Sequence, residues 1–405
     1  MTAPSLSDAV GVRAASAPRP AELLLWVLQK VGQDWRGRGL TIQTPDRQEY
    51  RFGPSSPEPG RLIVHDWRAM RRGLASGDIG LAEGYMAGEW DTPDLAALLA
   101  VFADNYERLD RFANGNAIGR AINWVVHRMG KLNTRAGSKK NIVAHYDLGN
   151  AFYGRWLDPG MTYSSALWTR PEQSLEAAQR EKYAALATSI DLKPEHTVLE
   201  IGCGWGGFAE YAAGEIGCQV VGLTISPSQH QFAAERMMRA GLSDKVEIRL
   251  QDYRDVTETF DRVVSIEMFE AVGEKWWPTY FDVVRSRLKP DGKAGLQIIT
   301  IRDDLFAGYR ERVDFIQKYV FPGGMLPSEA VLKDVIETCG LGIAATTRFG
   351  QDYARTLHLW AKQFREVDSG MNTVFDRQWL FYLAYCEAGF STRRTNVVQM
   401  TLCAR

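Results

Sequence analysis

The stretch Val198–Phe208, VLEIGCGWGGF, constrains this chain more than any other. Val198, Leu199 and Ile201 predict a buried strand. Gly202, Gly204, Gly206 and Gly207 predict a sharp turn whose backbone lets a ligand come close. A strand, a glycine turn and a helix N-terminus in succession form a nucleotide-binding corner. Around it the pattern alternates. Candidate strands are Thr197–Gly202, Gln219–Leu223, Val246–Leu250, Arg262–Ile266 and Ala294–Thr300, with helices between them such as Ser226–Ala240. Two late strands, near Ile343–Phe349 and Asn396–Cys403, complete the set. This order predicts a doubly wound α/β domain from about residue 141 to residue 405, with a seven-stranded, mostly parallel sheet.

The glycines satisfy the dinucleotide pattern G-x-G-x-x-G, so a dehydrogenase has to be weighed. A dinucleotide site places an acid about 20 residues on, to hold the ribose. Here the second strand runs into Thr224, Ile225 and Ser226, with no carboxylate. The acid is Glu200, on the first strand just before the glycines. That arrangement resembles the first motif of S-adenosylmethionine-dependent methyltransferases.

Composition places the chain among ordinary globular proteins. Its 405 residues are 45% hydrophobic and 24% charged, with a net charge of −1, which argues against nucleic acid as a partner. The five scattered cysteines form no CxxC pair and predict reduced thiols in a cytoplasmic protein. The histidines show no metal-ligand spacing, so no metal is expected. Residues 1–20, rich in Ala, Ser and Pro, predict a disordered tail. Residues 21–110 predict a first compact α+β unit: a helix at Ala21–Val31, strands at Leu40–Gln43, Tyr50–Phe52 and Arg61–His65, and two helical pieces within Gly77–Phe102. Thr92 and Pro93 read as the start signal of the second piece. Residues 111–140 carry seven Lys or Arg and no acid, with Ile118, Ile122, Val125, Met129 and Leu132 forming an apolar stripe. Such a helix either lies on an anionic membrane or packs on the larger domain with a solvated basic face.

Four further segments narrow the family. They are HYDLGNAFYGRWLDPGMTYSSALW from His145, VVGLTISPSQ from Val220, SIEMFEAVG from Ser265 and YVFPGGMLPS from Tyr319. In this order, with the glycine corner, they resemble the cyclopropane-fatty-acid synthase family, which includes the mycolic acid cyclopropane synthases. GLAEGYMAGEWD, from Gly80, resembles that family's N-terminal lipid-binding extension. The resemblance implies a Rossmann-like class I methyltransferase fold with a smaller lipid-binding domain. It implies S-adenosylmethionine as cofactor, unsaturated acyl chains of membrane phospholipids as substrate, peripheral membrane association and a homodimer.

The resemblance also implies residue roles. Tyr163 and Ser164 match positions near the methionine part of the cofactor, and Glu200, Gly202 and Gly204 match its glycine corner. Thr224, Ser226 and Gln229 stand in for the missing ribose acid, and Gln251 with Asp252 match the adenine side. Catalysis in this family uses a bicarbonate held by a cysteine, a glutamate, a histidine and a tyrosine. Glu270 matches the glutamate and Tyr319 the tyrosine. The cysteine position is Ser165, and the histidine of the fifth strand falls at or close to Thr300. YSSAL with the fifth strand's IT resembles the branch that makes methyl-branched chains of the tuberculostearic type. Tyr146, Phe152, Tyr163, Trp168, Phe269 and Tyr319 are the aromatic faces expected to stabilise a carbocation. Methyl branching is the leading reading and ring closure the alternative. A nitrogen or oxygen methyltransferase would need a polar pocket, and a non-catalytic lipid-binding protein would need no intact corner.

Overall fold

The computed structural model describes residues 35–56, 59–106 and 148–405. The expected tail 1–20, the helix at Ala21–Val31, the basic segment 111–140 and Tyr146 lie outside the described residues.

The first unit is a four-stranded sheet with two helices. Strands β1 (Leu40–Gln43), β2 (Glu49–Phe52) and β3 (Gly60–Val64) precede helix α1 (Arg68–Met86), strand β4 (Trp90–Asp91) and helix α2 (Leu95–Asp104). The sheet order is β2-β1-β3-β4. Helix α1 begins nine residues before the expected Gly77, which is instead a break within it, at φ 58 and ψ −130. Only glycine adopts that backbone without strain, so the helix kinks at this position. The start signal of α2 also differs from expectation. Asp94 caps the helix by accepting from the Ala97 amide at 2.9 Å, while Thr92 bonds within the preceding turn.

The large domain has the expected sheet. Its elements are α3 (Leu175–Ser189), β5 (Thr197–Ile201), β6 (Gln219–Thr224), α4 (Pro227–Arg239), β7 (Val246–Leu250), β8 (Phe260–Ile266), α5 (Trp277–Arg287), β9 (Leu288–Ile301), α6 (Glu329–Thr338), β10 (Leu341–Arg348), α7 (Gly350–Glu366), α8 (Thr373–Ser391) and β11 (Thr395–Ala404). The strand order is β10-β11-β9-β8-β5-β6-β7, and β11 alone runs antiparallel to its neighbours. Parallel strands must be covered on both faces. Val198, Leu199, Val263, Val264, Leu296 and Ile298 are accordingly all buried.

Helices α7 and α8 were not expected between the last two strands. They carry a second apolar face, with Leu357, Trp360, Phe364, Trp379, Phe381 and Leu383 buried. One core runs from Leu40, Ile42 and Leu98 of the first unit into these helices. Arg377 of α8 fastens the seam. It donates to the Trp90 carbonyl at 3.0 Å and to Asp91 at 2.9 Å, and lies 3.8 Å over the Tyr85 ring. Burying each large side chain there contributes about 1.5–3 kcal/mol, so the first unit is held by packing more than by this polar clamp. Among the described residues no helix is long and apolar enough to cross a membrane.

Candidate active site

One cavity of about 1000 Å³ opens beside the glycine corner. That lies at the upper end of ~300–1,000 Å³ for small-molecule sites, so it has room for two ligands. Its wall includes Glu200, Gly202, Gly204 and Gln229 of the corner, Glu267 and Glu270 after β8, and Leu40, Leu62, Leu81 and Leu99 of the first unit. The first unit, expected to bind lipid, supplies apolar wall to the same space.

At the corner, three glycines serve two purposes. A Cβ at Gly202 would meet Met268 at 2.6 Å, and one at Gly206 would meet Ala233 and Met237 at 3.2 Å, so these allow close packing. A Cβ at Gly204 would meet nothing within 4 Å, although its φ is +54. Its open side faces the cavity. Glu200 is buried and its Oε2 has no partner among the described residues. Burial pushes this carboxyl up to about 8, against the pull of Lys182 and Arg236.

Thr224, Gln229, Gln251 and Asp252 reach the cavity wall, as do Tyr163 and Ser164. Thr224 donates to Gln229 Oε1 at 2.9 Å, and Arg254 holds Asp252 at 2.6 Å. Ser226 departs from expectation. Its hydroxyl caps α4 by accepting from the Gln229 amide at 3.4 Å, and it does not line the cavity.

Glu270 lines the cavity with a divided carboxylate. Oε1 accepts from the Ile299 amide at 2.5 Å, and Oε2 is buried without a partner among the described residues. Burial, reinforced by the nearby Glu267 carboxylate, pushes Glu270 up to about 8. Glu267 is fully engaged instead. Its Oε1 accepts from the Ser165 amide at 2.9 Å and from Gln297 at 2.7 Å, and its Oε2 from the Tyr353 hydroxyl at 2.6 Å. Its φ of +50 is a strained backbone for a glutamate, a kind of strain that clusters at functional sites.

The other expected partners are not brought to Glu270. Tyr319 does not line the cavity; its hydroxyl donates to Glu83 of α1 at 2.7 Å. Ser165 is buried, donates its hydroxyl to the Ala166 carbonyl at 2.9 Å and turns no atom into the cavity wall. Alternation along β9 puts Ile299 and Ile301 on the cavity and Thr300 on the other face. The position beside Glu270 is thus Ile299. Trp168 packs on α7, donating to Asp352 and Thr356, and Phe269 stacks on Trp277 in the core. Neither lines the cavity, and nor does Phe152, which packs among Trp156, Phe375 and Trp379. Among the described residues, Tyr163 is the one expected aromatic face that lines the cavity; Tyr353, Phe381, Tyr382 and Tyr385 of α7 and α8 line it as well, with others such as Trp205 and Phe321.

Sequence reading missed Lys182. Its ammonium is fully buried on α3 and donates to Ser164 Oγ at 2.6 Å. A signal was present: Ala178, Lys182 and Leu186 share the helix's buried stripe, where a charge is unusual.

The raised carboxyls give a stability prediction. In the unfolded chain a glutamate titrates near its model value of 4.5, whereas Glu200 and Glu270 hold their protons to about 8. Between these values the folded state binds more protons, so stability is present at low pH and is lost as pH rises through that window. Lys182, lowered to about 8, changes charge difference only above that value. The melting temperature of the ligand-free protein is expected to fall by about 3 °C or more between about pH 5.5 and 8.5. A flat or rising profile by calorimetry would contradict the assigned burial.

The chain is similar to several known proteins. Residues 133–400 match the family model for mycolic acid cyclopropane synthetase. The tuberculostearic acid methyltransferase UfaA1 of Mycobacterium tuberculosis is 36% identical over 370 residues, covering 86% of this chain and 84% of that protein. The cyclopropane-fatty-acyl-phospholipid synthase of Escherichia coli K12 is 38% identical over 386 residues, covering 89% and 94%. Among solved structures, mycolic acid cyclopropane synthase CmaA1 complexed with SAH and CTAB superposes with a TM-score of 0.61 at 27% identity, covering 67% of this chain and 98% of that one.

Proposed function

The chain belongs to the mycolic acid cyclopropane synthetase family of S-adenosylmethionine-dependent methyltransferases, and from that premise we propose that it methylates the double bond of unsaturated phospholipid acyl chains to give a methyl- or methylene-branched product. The observation that carries this reading is Glu270: one oxygen fixed, the other unpartnered, on the wall of a cavity that also holds the glycine corner and the apolar face of the first unit. The corner fits the cofactor. Glu200 offers an unpartnered carboxylate oxygen to an ammonium, and Gly204 leaves space that any side chain would fill.

Bound there, S-adenosylmethionine supplies an electrophilic methyl group. An alkene needs no base to take it, only alignment and exclusion of water, which the mostly apolar wall favours. The alkene π pair would form the new C–C bond as the methyl–sulfur bond breaks, its electron pair leaving with the neutral thioether S-adenosylhomocysteine, and the positive charge would pass to the neighbouring chain carbon. Tyr353 and Tyr382 line the cavity, and their rings are the aromatic groups within reach of that charge. A proton must then leave. Loss from the new methyl group closes a three-membered ring. After a hydride shift, loss from the methyl or an adjacent chain carbon leaves a methylene or methyl branch with an alkene.

The residues present do not fit a bicarbonate. Of its four expected holders only Glu270 reaches the cavity, and Ile299 occupies the position beside it. Glu270 itself is therefore the base in this reading. Removing sulfur and imidazole from the site changes where the base sits, which favours branching over closure.

Proton NMR of lipid recovered after reaction with unsaturated phospholipid liposomes decides the product. Vinyl signals with a new branch are expected. Dominant ring signals upfield of the methylene envelope would replace the branching reading with cyclopropane synthesis.

A further inference from the structure

Helix α3 grips the segment that precedes it. Gln179 Nε2 donates to the Ser164 carbonyl at 2.9 Å, Lys182 Nζ to Ser164 Oγ at 2.6 Å, and the Tyr183 hydroxyl lies 3.3 Å from Thr162 Oγ1. The Gln179 and Tyr183 contacts already tie this segment to the helix. The lysine is a costly way to add a third, because an ammonium removed from water without a counter-charge is strongly unfavourable. Lys182 makes no ion pair among the described residues; its direct partners are a neutral hydroxyl and the Tyr183 ring, 4.4 Å away. Burial accordingly lowers it to about 8, with Glu267, Asp158 and Glu200 acting from further off to keep it charged.

Ser164 is the part of this arrangement that meets the ligand. It lines the cavity, and its hydroxyl, having accepted from Lys182, makes no other hydrogen bond among the described residues. A hydroxyl that accepts from a cation still has its own proton to give, and the cation polarises it into a stronger donor. The same wall carries Glu200, whose Oε2 is unpartnered. The wall thus presents a carboxyl that an arriving ammonium would draw into its ionised form and a positively backed donor, together the complement of an α-amino acid zwitterion.

We propose that Lys182 is a positioning residue that acts through Ser164 to select the carboxylate of the cofactor's amino-acid end, while Glu200 receives the ammonium. The assignment rests on the methyltransferase reading above. It makes cofactor recognition depend on a residue outside the cavity wall.

The test uses the full-length protein and isothermal titration with two probes: S-adenosylhomocysteine and its decarboxylated analogue. Wild type should prefer the carboxylated probe. Lys182→Met should lose about tenfold or more in affinity for S-adenosylhomocysteine and less than about twofold for the analogue, the loss expected of one charge-assisted hydrogen bond. Ser164→Ala should do the same, and the double variant should be no worse than either single one, since both remove one device. Equal weakening of both probes, or no weakening, would overturn the proposal and leave Lys182 a packing residue. If Lys182→Met does not fold, Ser164→Ala decides alone, because the Gln179 and Tyr183 contacts survive it. Failure of the wild type to bind S-adenosylhomocysteine would instead overturn the methyltransferase reading.

Discussion

Glu270→Gln is expected to lower turnover on unsaturated phospholipid by about a hundredfold or more, the usual range for a lost general base, with S-adenosylhomocysteine affinity unchanged within about threefold. The substitution keeps the shape of the site. The glutamine carbonyl oxygen can still accept from the Ile299 amide, as Glu270 Oε1 does at 2.5 Å. The atom in the place of the unpartnered Oε2 becomes an amide nitrogen, which cannot take a proton. Wild-type turnover should also rise with pH through about 8, where Glu270 ionises, and that rise should be absent from any residual activity of the variant. Tyr319→Phe is the contrast. Its hydroxyl is spent on Glu83 at 2.7 Å, so it should cost only a few-fold. Near wild-type turnover in a folded Glu270→Gln protein would move the base elsewhere. An equal loss in Tyr319→Phe would put that hydroxyl back beside Glu270 in the working enzyme.

The sheet was legible because parallel strands buried on both faces read as apolar runs bounded by glycine and polar turns. All seven strands of the large domain fell within a few residues of expectation, apart from the early start of β9 at Leu288. Helices α7 and α8 were not read, although Trp360, Phe364, Trp379 and Phe381 are buried on them. Their partners are distant in sequence: Trp360 and Phe364 pack on Trp156, Trp379 on Phe152, and Phe381 on Tyr85 of the first unit, and no local pattern announces such neighbours. The site was legible where backbone geometry decides it, at Glu200, Gly204 and Glu270. It was not legible where a side chain's direction decides it. Ile299 and Thr300 differ by one position on β9, and a one-residue difference exchanges the faces of a strand. Tyr319 sits on the short helix Phe315–Tyr319, and its direction is set by Glu83, more than two hundred residues earlier. Ser226 had two uses for one hydroxyl, and the helix cap took it.

Gly204→Val is expected to abolish measurable binding of S-adenosylhomocysteine, a loss of about a hundredfold or more, in a protein that still folds. Two effects of the substitution have to be separated. The first is backbone strain: φ is +54 at Gly204, and a left-handed L-residue costs roughly 1–2 kcal/mol, a tolerable part of the ~5–15 kcal/mol that holds a domain together. The second is occlusion: no protein atom lies within 4 Å of the added Cβ, so the valine methyls enter the cavity itself. Gly241 offers the matched control. It has φ +68, also has nothing within 4 Å of an added Cβ, and does not line the cavity. Gly241→Val should therefore lower the melting temperature about as much as Gly204→Val while leaving affinity at the wild-type value. Gly204→Ala, with one carbon in the same space, should fall between wild type and Gly204→Val. Unchanged affinity in Gly204→Val would mean that the cofactor does not approach this turn. Equal loss in Gly241→Val would mean that strain, not occlusion, empties the site.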